Sequence, residues 1–147
     1  SSQSRGLGDV YKRQVWSKLN ANIAVSACCA LFGLRTGEVK ANEYAWSLSK
    51  ACVLEASACA AAKGIKLLYD DPVEWVSNFI DQMPAARPSM YQDVMLGRRS
   101  EIGTIHGGVV DEGRKLGVPT PACEFMVTAV RALEEKNRQQ GDAYQRS

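Results

Sequence analysis

Lys18, Asn22 and Ser26 stand four residues apart in the stretch Trp16-Ser17-Lys18-Leu19-Asn20-Ala21-Asn22-Ile23-Ala24-Val25-Ser26. On a helix, residues four apart lie above one another on one face. A cation, an amide and a hydroxyl would then form one polar stripe, flanked by the apolar Trp16, Leu19, Ile23 and Val25. Such a row is expected to face water or a wet cleft, because burying these groups unpaired would cost several kcal/mol. In a partly dry cleft a lysine can be tuned to give or take a proton. An amphipathic helix with a solvated lysine has the same pattern, so other parts of the chain must decide.

The elements that would position this row are all helical. A first helix is expected over residues 15–34, stopped by Gly33, with a turn at Thr36-Gly37-Glu38. A long Ala- and Leu-rich helix over 42–63 ends before Gly64, with a small-residue face at Cys52, Cys59 and Ala56 to Ala62. Asp71-Pro72-Val73-Glu74 is a helix start: Asp can cap, Pro fits the first turn and Glu can reach back. That helix should end near Met83, followed by a loop between Pro84 and Pro88. Ser89-Met90-Tyr91-Gln92 is a capping pattern opening a short helix that ends near Gly97. Glu101 should begin a further helix to Leu116, closed by Gly117; Gly103, Gly107 and Gly108 within it imply close approach of a backbone or ligand. Pro119 and Pro121 open a last helix to about Arg138, with a frayed polar tail over 139–147. No period-two alternation occurs, so the fold class is all-α, with six or seven helices.

A chain of 147 residues is long enough for one domain with a core, and its 46% hydrophobic and 23% charged content is that of a globular protein. Residues 1–14 carry the whole net charge of +2, through Arg5, Lys12 and Arg13 against Asp9. No basic stripe remains to argue for nucleic acid. These fourteen residues are polar and lack helical periodicity; they are expected to be a non-native or disordered tail outside the fold. Gly6-Leu7-Gly8 is not a dinucleotide loop, since no strand precedes it and Tyr11 stands where a small residue is needed. The longest apolar run, Ala27 to Leu34, is too short for a bilayer, and the chain reads as soluble and cytoplasmic. Five cysteines in no zinc spacing, with His106 as the one histidine, imply buried thiols rather than a metal site.

Three separated pieces carry a resemblance: Lys18-x-x-x-Asn22; Ser89-Met90-Tyr91-Gln92-Asp93-x-x-x-Gly97-Arg98; and Ser100-Glu101-Ile102, with Gly107 and Gly117-Val118-Pro119-Thr120-Pro121 following. Over residues 15–138 the chain resembles the C-terminal helical domain of ketopantoate reductase (2-dehydropantoate 2-reductase), of the kind also found in 6-phosphogluconate dehydrogenase-like enzymes. The resemblance implies reduction of a 2-oxo acid, ketopantoate, to D-pantoate in pantothenate and coenzyme A biosynthesis. It implies NADPH as cofactor, bound chiefly by an N-terminal Rossmann domain that is missing here, so that this fragment is expected to be inactive alone. By position, Lys18 matches the catalytic lysine and Glu101 the acidic residue that aligns substrate, cofactor ribose and lysine. Asn22, Ser26 and Ser89 fall at substrate-binding positions, with Ser89 at a helix start that favours a carboxylate. A small 2-oxo acid is the implied partner, with no nucleic acid or membrane and with a homodimer as a possible assembly.

The chain also departs from the family pattern. Ser26-Ala27 stands where a second asparagine and a proline are common, and Thr36 stands where an asparagine often precedes Gly-Glu. Two amides are thus replaced by hydroxyls, which leaves a reductase of another 2-oxo acid open. A non-catalytic helical dimerisation or interaction module is the alternative of a different class; it would use Gly107 and Gly108 as helix contacts and Ser89 as a cap.

Overall fold

The computed structural model describes the backbone of residues 2–146 and the side chains of residues 6–141. Seven helices follow in order: α1 (Ser2–Phe32), α2 (Thr36–Ala41), α3 (Glu43–Ala62), α4 (Pro72–Gln82), α5 (Ser89–Met95), α6 (His106–Leu116) and α7 (Pro121–Arg146). No strand occurs among the described residues. The domain is all-α, as the sequence implies.

Helix α1 is the central element. Ile23, Ala24, Ala27, Cys28 and Cys29 are at most 1% exposed and pack with Val39, Cys52, Val53 and Ala56 in one core. The segment Gly6–Phe32 is long and apolar enough to cross a membrane by length and composition, yet 61% of its apolar window is buried in the fold, as befits a core helix. Small side chains on both partners let α3 lie close along α1. All five cysteines are free and buried in this core. Burial pushes the Cys28 thiol up to about 11 and that of Cys29 to about 12, so both stay protonated.

The helix ends follow local chemistry. Asn42 caps α3, its side-chain oxygen accepting from the Tyr44 and Ala45 amides at 3.1 Å. Asp71 caps α4 in the same way through Val73 and Glu74. Each such cap is worth about 1 kcal/mol. Gly33, Gly64, Gly97 and Gly117 take positive φ after α1, α3, α5 and α6, where a side chain would be strained. The first turn of α7 is held from outside: Glu55 of α3 accepts from the Ala122 and Cys123 amides at 2.8 and 2.9 Å.

Helix α1 runs back to Ser2, and Arg13 donates to the Lys66 carbonyl at 2.7 Å. Four expectations need correction. Thr36-Gly37-Glu38 is not a mere turn but opens α2, with Glu38 accepting from the Arg35 amide. Ser89 does not cap α5; Pro88 is the cap residue, and Gln92 donates to the Arg87 carbonyl instead of reaching back to Ser89. Glu101 does not begin a helix. Residues 101–105 form tight turns, with the Thr104 and Ile105 amides both donating to the Glu101 carbonyl and the Gly107 amide to the Ile102 carbonyl, and α6 starts only at His106. The close approaches also differ: Gly107 and Gly108 have ordinary or open surroundings, whereas a Cβ on Gly113 would lie 2.6 Å from the Val118 carbonyl. The tail after Gln139 continues α7 to Arg146, its side chains from 142 onward lying outside the described residues.

Candidate active site

Two polar rows run along α1, and the structure treats them differently. Ser17 and Asn20 are 2% and 1% exposed. The Ser17 hydroxyl accepts from the Leu68 amide at 3.0 Å, and its carbonyl accepts from the Tyr69 hydroxyl at 2.9 Å. Asn20 donates to Tyr69 Oη at 2.8 Å and to Ser57 Oγ at 3.2 Å. These groups tie the 64–71 connection to α1, and burial holds the Tyr69 hydroxyl above its usual pKa. Sequence reasoning singled out neither Ser17 nor Asn20. Their place one helical step from the Lys18 row, next to Leu19 and Ile23, was the available signal.

The second row contains the sequence-selected residues. Lys18 and Asn22 are exposed on successive turns of α1, and neither side chain has a polar partner among the described residues. Ser26, one turn further, is 3% exposed. The row therefore passes from solvent into the packed body of the domain, contrary to the expectation that all of it faces water. The physical reason is that neighbouring helices close over the second half of α1, where Val25 to Ala30 are all buried.

The start of α5 comes to the open part of this row. Asn22 and Pro88 line one hollow of about 230 Å³ between α1, α4 and the loop before α5. Its apolar walls are Ala21, Val25, Phe79, Ile80, Met83 and Pro88. Ser89 follows Pro88, exposed and with its hydroxyl unspent because the capping role went elsewhere. Phe79 is set by an aromatic stack that leads back to the locked row: Tyr69 on Trp75 at 4.5 Å, and Trp75 on Phe79 at 5.8 Å between centroids. Larger grooves lie elsewhere, of about 420 Å³ between α6 and α7, about 480 Å³ between residues 97–99 and α7, and about 570 Å³ between α1, α5 and α7; Lys18, Asn22, Ser26, Ser89 and Glu101 line none of them.

Glu101 sits on the other side chain-bearing turn of interest. Its carboxylate is exposed and unpaired among the described residues, but its backbone is fixed. Glu134 of α7 accepts from the Ser100 amide at 2.6 Å and from Arg131 at 2.6 Å, while Arg131 also reaches the Ser100 carbonyl at 3.5 Å. A Cβ on Gly103 would lie 2.6 Å from the Arg131 guanidinium, so glycine is what lets that side chain cross the turn. Burial pushes the Glu134 carboxyl up, but the Ser100 amide and Arg131 outweigh it and hold the group below its usual pKa. His106, by contrast, is an interior residue. Its Nε2 faces the Ile23 carbonyl at 3.1 Å, and burial pushes its pKa down to about 4, so the ring is neutral.

The arrangement offers an ammonium, an amide and a hydroxyl to a small polar ligand, with a carboxylate on a separately braced turn. That set can hydrogen-bond a carbonyl and give it a proton. It does not include a dinucleotide cradle: Gly6 and Gly8 lie within α1, with open space around them, and no strand is present among the described residues. Nor do three or more His, Cys, Asp or Glu side chains converge as metal ligands among those residues.

Comparison with known proteins gives the same outline. Residues 11–134 match the family model described as the ketopantoate reductase PanE/ApbA C-terminal domain. The chain is 31% identical over 121 residues to 2-dehydropantoate 2-reductase of Streptococcus pyogenes, aligning over 82% of this chain but only 39% of that protein. It superposes on the PanE/ApbA family ketopantoate reductase of Ralstonia eutropha with a TM-score of 0.79 at 32% identity, covering 86% of this chain and 42% of that one. A D-mandelate dehydrogenase, solved with NADH and anilino(oxo)acetate, gives 0.76 at 28% identity over 84% of this chain and 41% of its own. The chain thus spans about two fifths of the length of the relatives it matches, and the match begins at residue 11, inside the segment expected to be foreign. The family match, the sequence likeness and the fold show that the chain belongs to the ketopantoate reductase family, as its C-terminal all-α domain.

Proposed function

We propose that this chain is the substrate-binding and proton-donating half of an NADPH-dependent reductase of 2-oxo acids, with 2-dehydropantoate as the leading substrate and D-pantoate as product. The observation that supports this best is the contrast on α1. Lys18 and Asn22 project into solvent with no polar partner among the described residues, while Ser17 and Asn20 beside them are fully engaged. A polar pair that the fold does not use is available to a ligand.

In this reading the 2-oxo acid lies over Asn22, between α1 and the start of α5. Lys18 Nζ gives a proton to the carbonyl oxygen as it becomes an alkoxide, and its positive charge stabilises that oxygen beforehand. The Asn22 amide donates to the same end of the substrate, and the Ser89 hydroxyl binds the carboxylate. Glu101, held at a fixed place by Arg131 and Glu134, accepts hydrogen bonds that keep the ammonium and a ribose hydroxyl in line. When bound, a nicotinamide cofactor would supply the hydride to the carbonyl carbon. Ser26 contributes from behind the row, at the closed end of the site.

The test is NADPH oxidation followed at 2-dehydropantoate saturation, on the chain alone and on the chain joined to its cofactor-binding half. Turnover only in the joined protein is expected. Steady turnover by the chain alone, or none by the joined protein with any 2-oxo acid, would overturn the reading.

A further inference from the structure

Between the end of α4 and Ser89 the chain forms no helix, yet every backbone carbonyl from Met83 to Pro88 accepts a hydrogen bond. The start of α2 supplies the bonds to the first four. Thr36 Oγ1 donates to Met83 at 2.5 Å, the Gly37 amide to Pro84 at 2.8 Å, Arg35 Nη1 to Ala85 at 2.8 Å and the Thr36 amide to Ala86 at 3.1 Å. Gln92 holds the last two, its side chain reaching Arg87 and its amide reaching Pro88, both at 3.3 Å. Water could satisfy such carbonyls on a surface loop. The fold instead spends on them the first N–H groups of α2, which a helix's own ladder leaves free. The approach is close as well: a Cβ on Gly37 would lie 2.8 Å from Pro84 Cβ and 3.0 Å from the Pro84 carbonyl oxygen.

We propose that Arg35, Thr36 and Gly37 are positioning residues: by holding the 83–88 loop they set the place of the Ser89 hydroxyl relative to Lys18 and Asn22. This rests on the reductase reading above, in which Ser89 binds the substrate carboxylate. The three residues are well placed for it, because they follow α1 almost directly. Helix α1 ends at Phe32, Gly33 turns the chain at a φ of 66°, and Arg35 is the cap residue of α2. One short path of fixed backbone therefore joins the α1 row to the start of α5. Lys40 fastens α2 to α4 as well, through Asp81 at 2.7 Å. Thr36 is 5% exposed and its hydroxyl is spent on Met83, so it acts on the substrate through Ser89 and not by contact.

The joined two-domain protein tests this through KM and kcat for 2-dehydropantoate. Thr36→Val keeps the side-chain shape without the hydroxyl, so the Met83 carbonyl retains only the Ala86 amide at 3.3 Å. KM is expected to rise about tenfold, with kcat and the KM for NADPH within about threefold of the parent, the pattern of lost uniform binding. Thr36→Ser restores the hydroxyl and should bring KM back to within about twofold of the parent. The decisive arm combines Thr36→Val with Ser89→Ala, because independent effects multiply and coupled ones do not. Once the Ser89 hydroxyl is gone, Thr36→Val should add less than about twofold to KM. Effects that multiply, an unchanged KM in Thr36→Val, or a fall in kcat as large as the rise in KM overturns the inference while the reductase reading stands. An unchanged KM in Ser89→Ala removes the role of Ser89 and this inference together, leaving Lys18 and Asn22 in place. No turnover by the parent removes the whole reading. Should Thr36→Val not fold, Arg35→Met takes its place, since that side chain is exposed and gives up its bond to the Ala85 carbonyl. The same rise in KM, lost in the Ser89→Ala background, is expected; a rise that persists there contradicts the proposal.

Discussion

Asn20 and Asn22 are the same residue type, two positions apart on one helix, and their fates are opposite. Asn20 is interior, with both of its amide hydrogens placed on Tyr69 and Ser57. Asn22 is exposed and unpaired among the described residues. Two residues along a helix is about 200° of rotation, enough to carry a side chain from the face packed by α3 and the 64–71 connection to the face left open beside α5. A polar group earns a structural interpretation when its own chain completes its hydrogen bonds, and a functional one when it is held in place by neighbours yet left incomplete.

Breaking the open side should cost catalysis and little else. Lys18→Ala in the joined reductase is expected to lower kcat/KM by about 10³-fold, within the range of a lost proton donor and charge stabiliser. The urea midpoint of the chain should hardly move, because Lys18 makes no hydrogen bond or ion pair among the described residues. Wild-type turnover in that variant would remove the role assigned to this residue.

Breaking the locked side should cost folding, and His106 offers the largest effect there. Its folded pKa of about 4 lies below its ordinary 6.5, so the unfolded chain takes up a proton that the folded chain refuses. Stability is therefore complete above about pH 6.5 and falls as pH drops toward 4, where the native ring also protonates. The total loss is about 3 kcal/mol. Urea unfolding across that window should show this slope, and His106→Leu should abolish it; an equal slope in both proteins would place the proton elsewhere.

The turn that carries Glu101 lies between the two cases, since a structural clamp presents a free carboxylate. Glu134→Gln keeps the shape of the clamp but removes its charge, and should cost about 1 kcal/mol. Because the folded Glu134 pKa is lowered, that contribution is present at neutral pH and is lost as pH falls through the carboxylate range below 4.5. Acid titration of the variant should be correspondingly flatter there. In the joined enzyme the same change should raise KM more than it lowers kcat, if Glu101 is displaced but still present.

Much of this architecture is legible in the sequence because it rests on local chemistry. Asp71-Pro72, Asn42 and the glycines at 33, 64, 97 and 117 mark helix ends through caps and left-handed backbone, which need no knowledge of distant contacts. What escaped depends on tertiary partners. Glu101 looked like a first-turn acid, yet the turn it occupies is set by Arg131 and Glu134, some thirty residues away. Ser89 looked like a cap, but Pro88 already supplies the extended geometry needed before α5. Spacing places Lys18, Asn22 and Ser26 on one helical face, while the division of that row into open and buried parts depends on which neighbours cover each turn. Composition alone does not register that α1 continues back to Ser2.

The most direct measurement of the central contrast uses its two asparagines. Asn22→Ala and Asn20→Ala, made in the joined reductase and in the chain alone, should separate activity from stability. For Asn22→Ala the expected result is a drop in kcat/KM of about a hundredfold with unfolding free energy within about 0.5 kcal/mol of the parent. For Asn20→Ala it is a loss of about 2 kcal/mol of stability, from the two hydrogen bonds that the buried Asn20 donates to Tyr69 and Ser57, with turnover per folded molecule retained. Equal losses of both kinds in the two variants, or the reverse assignment, would contradict the division of α1 into a structural and a catalytic face.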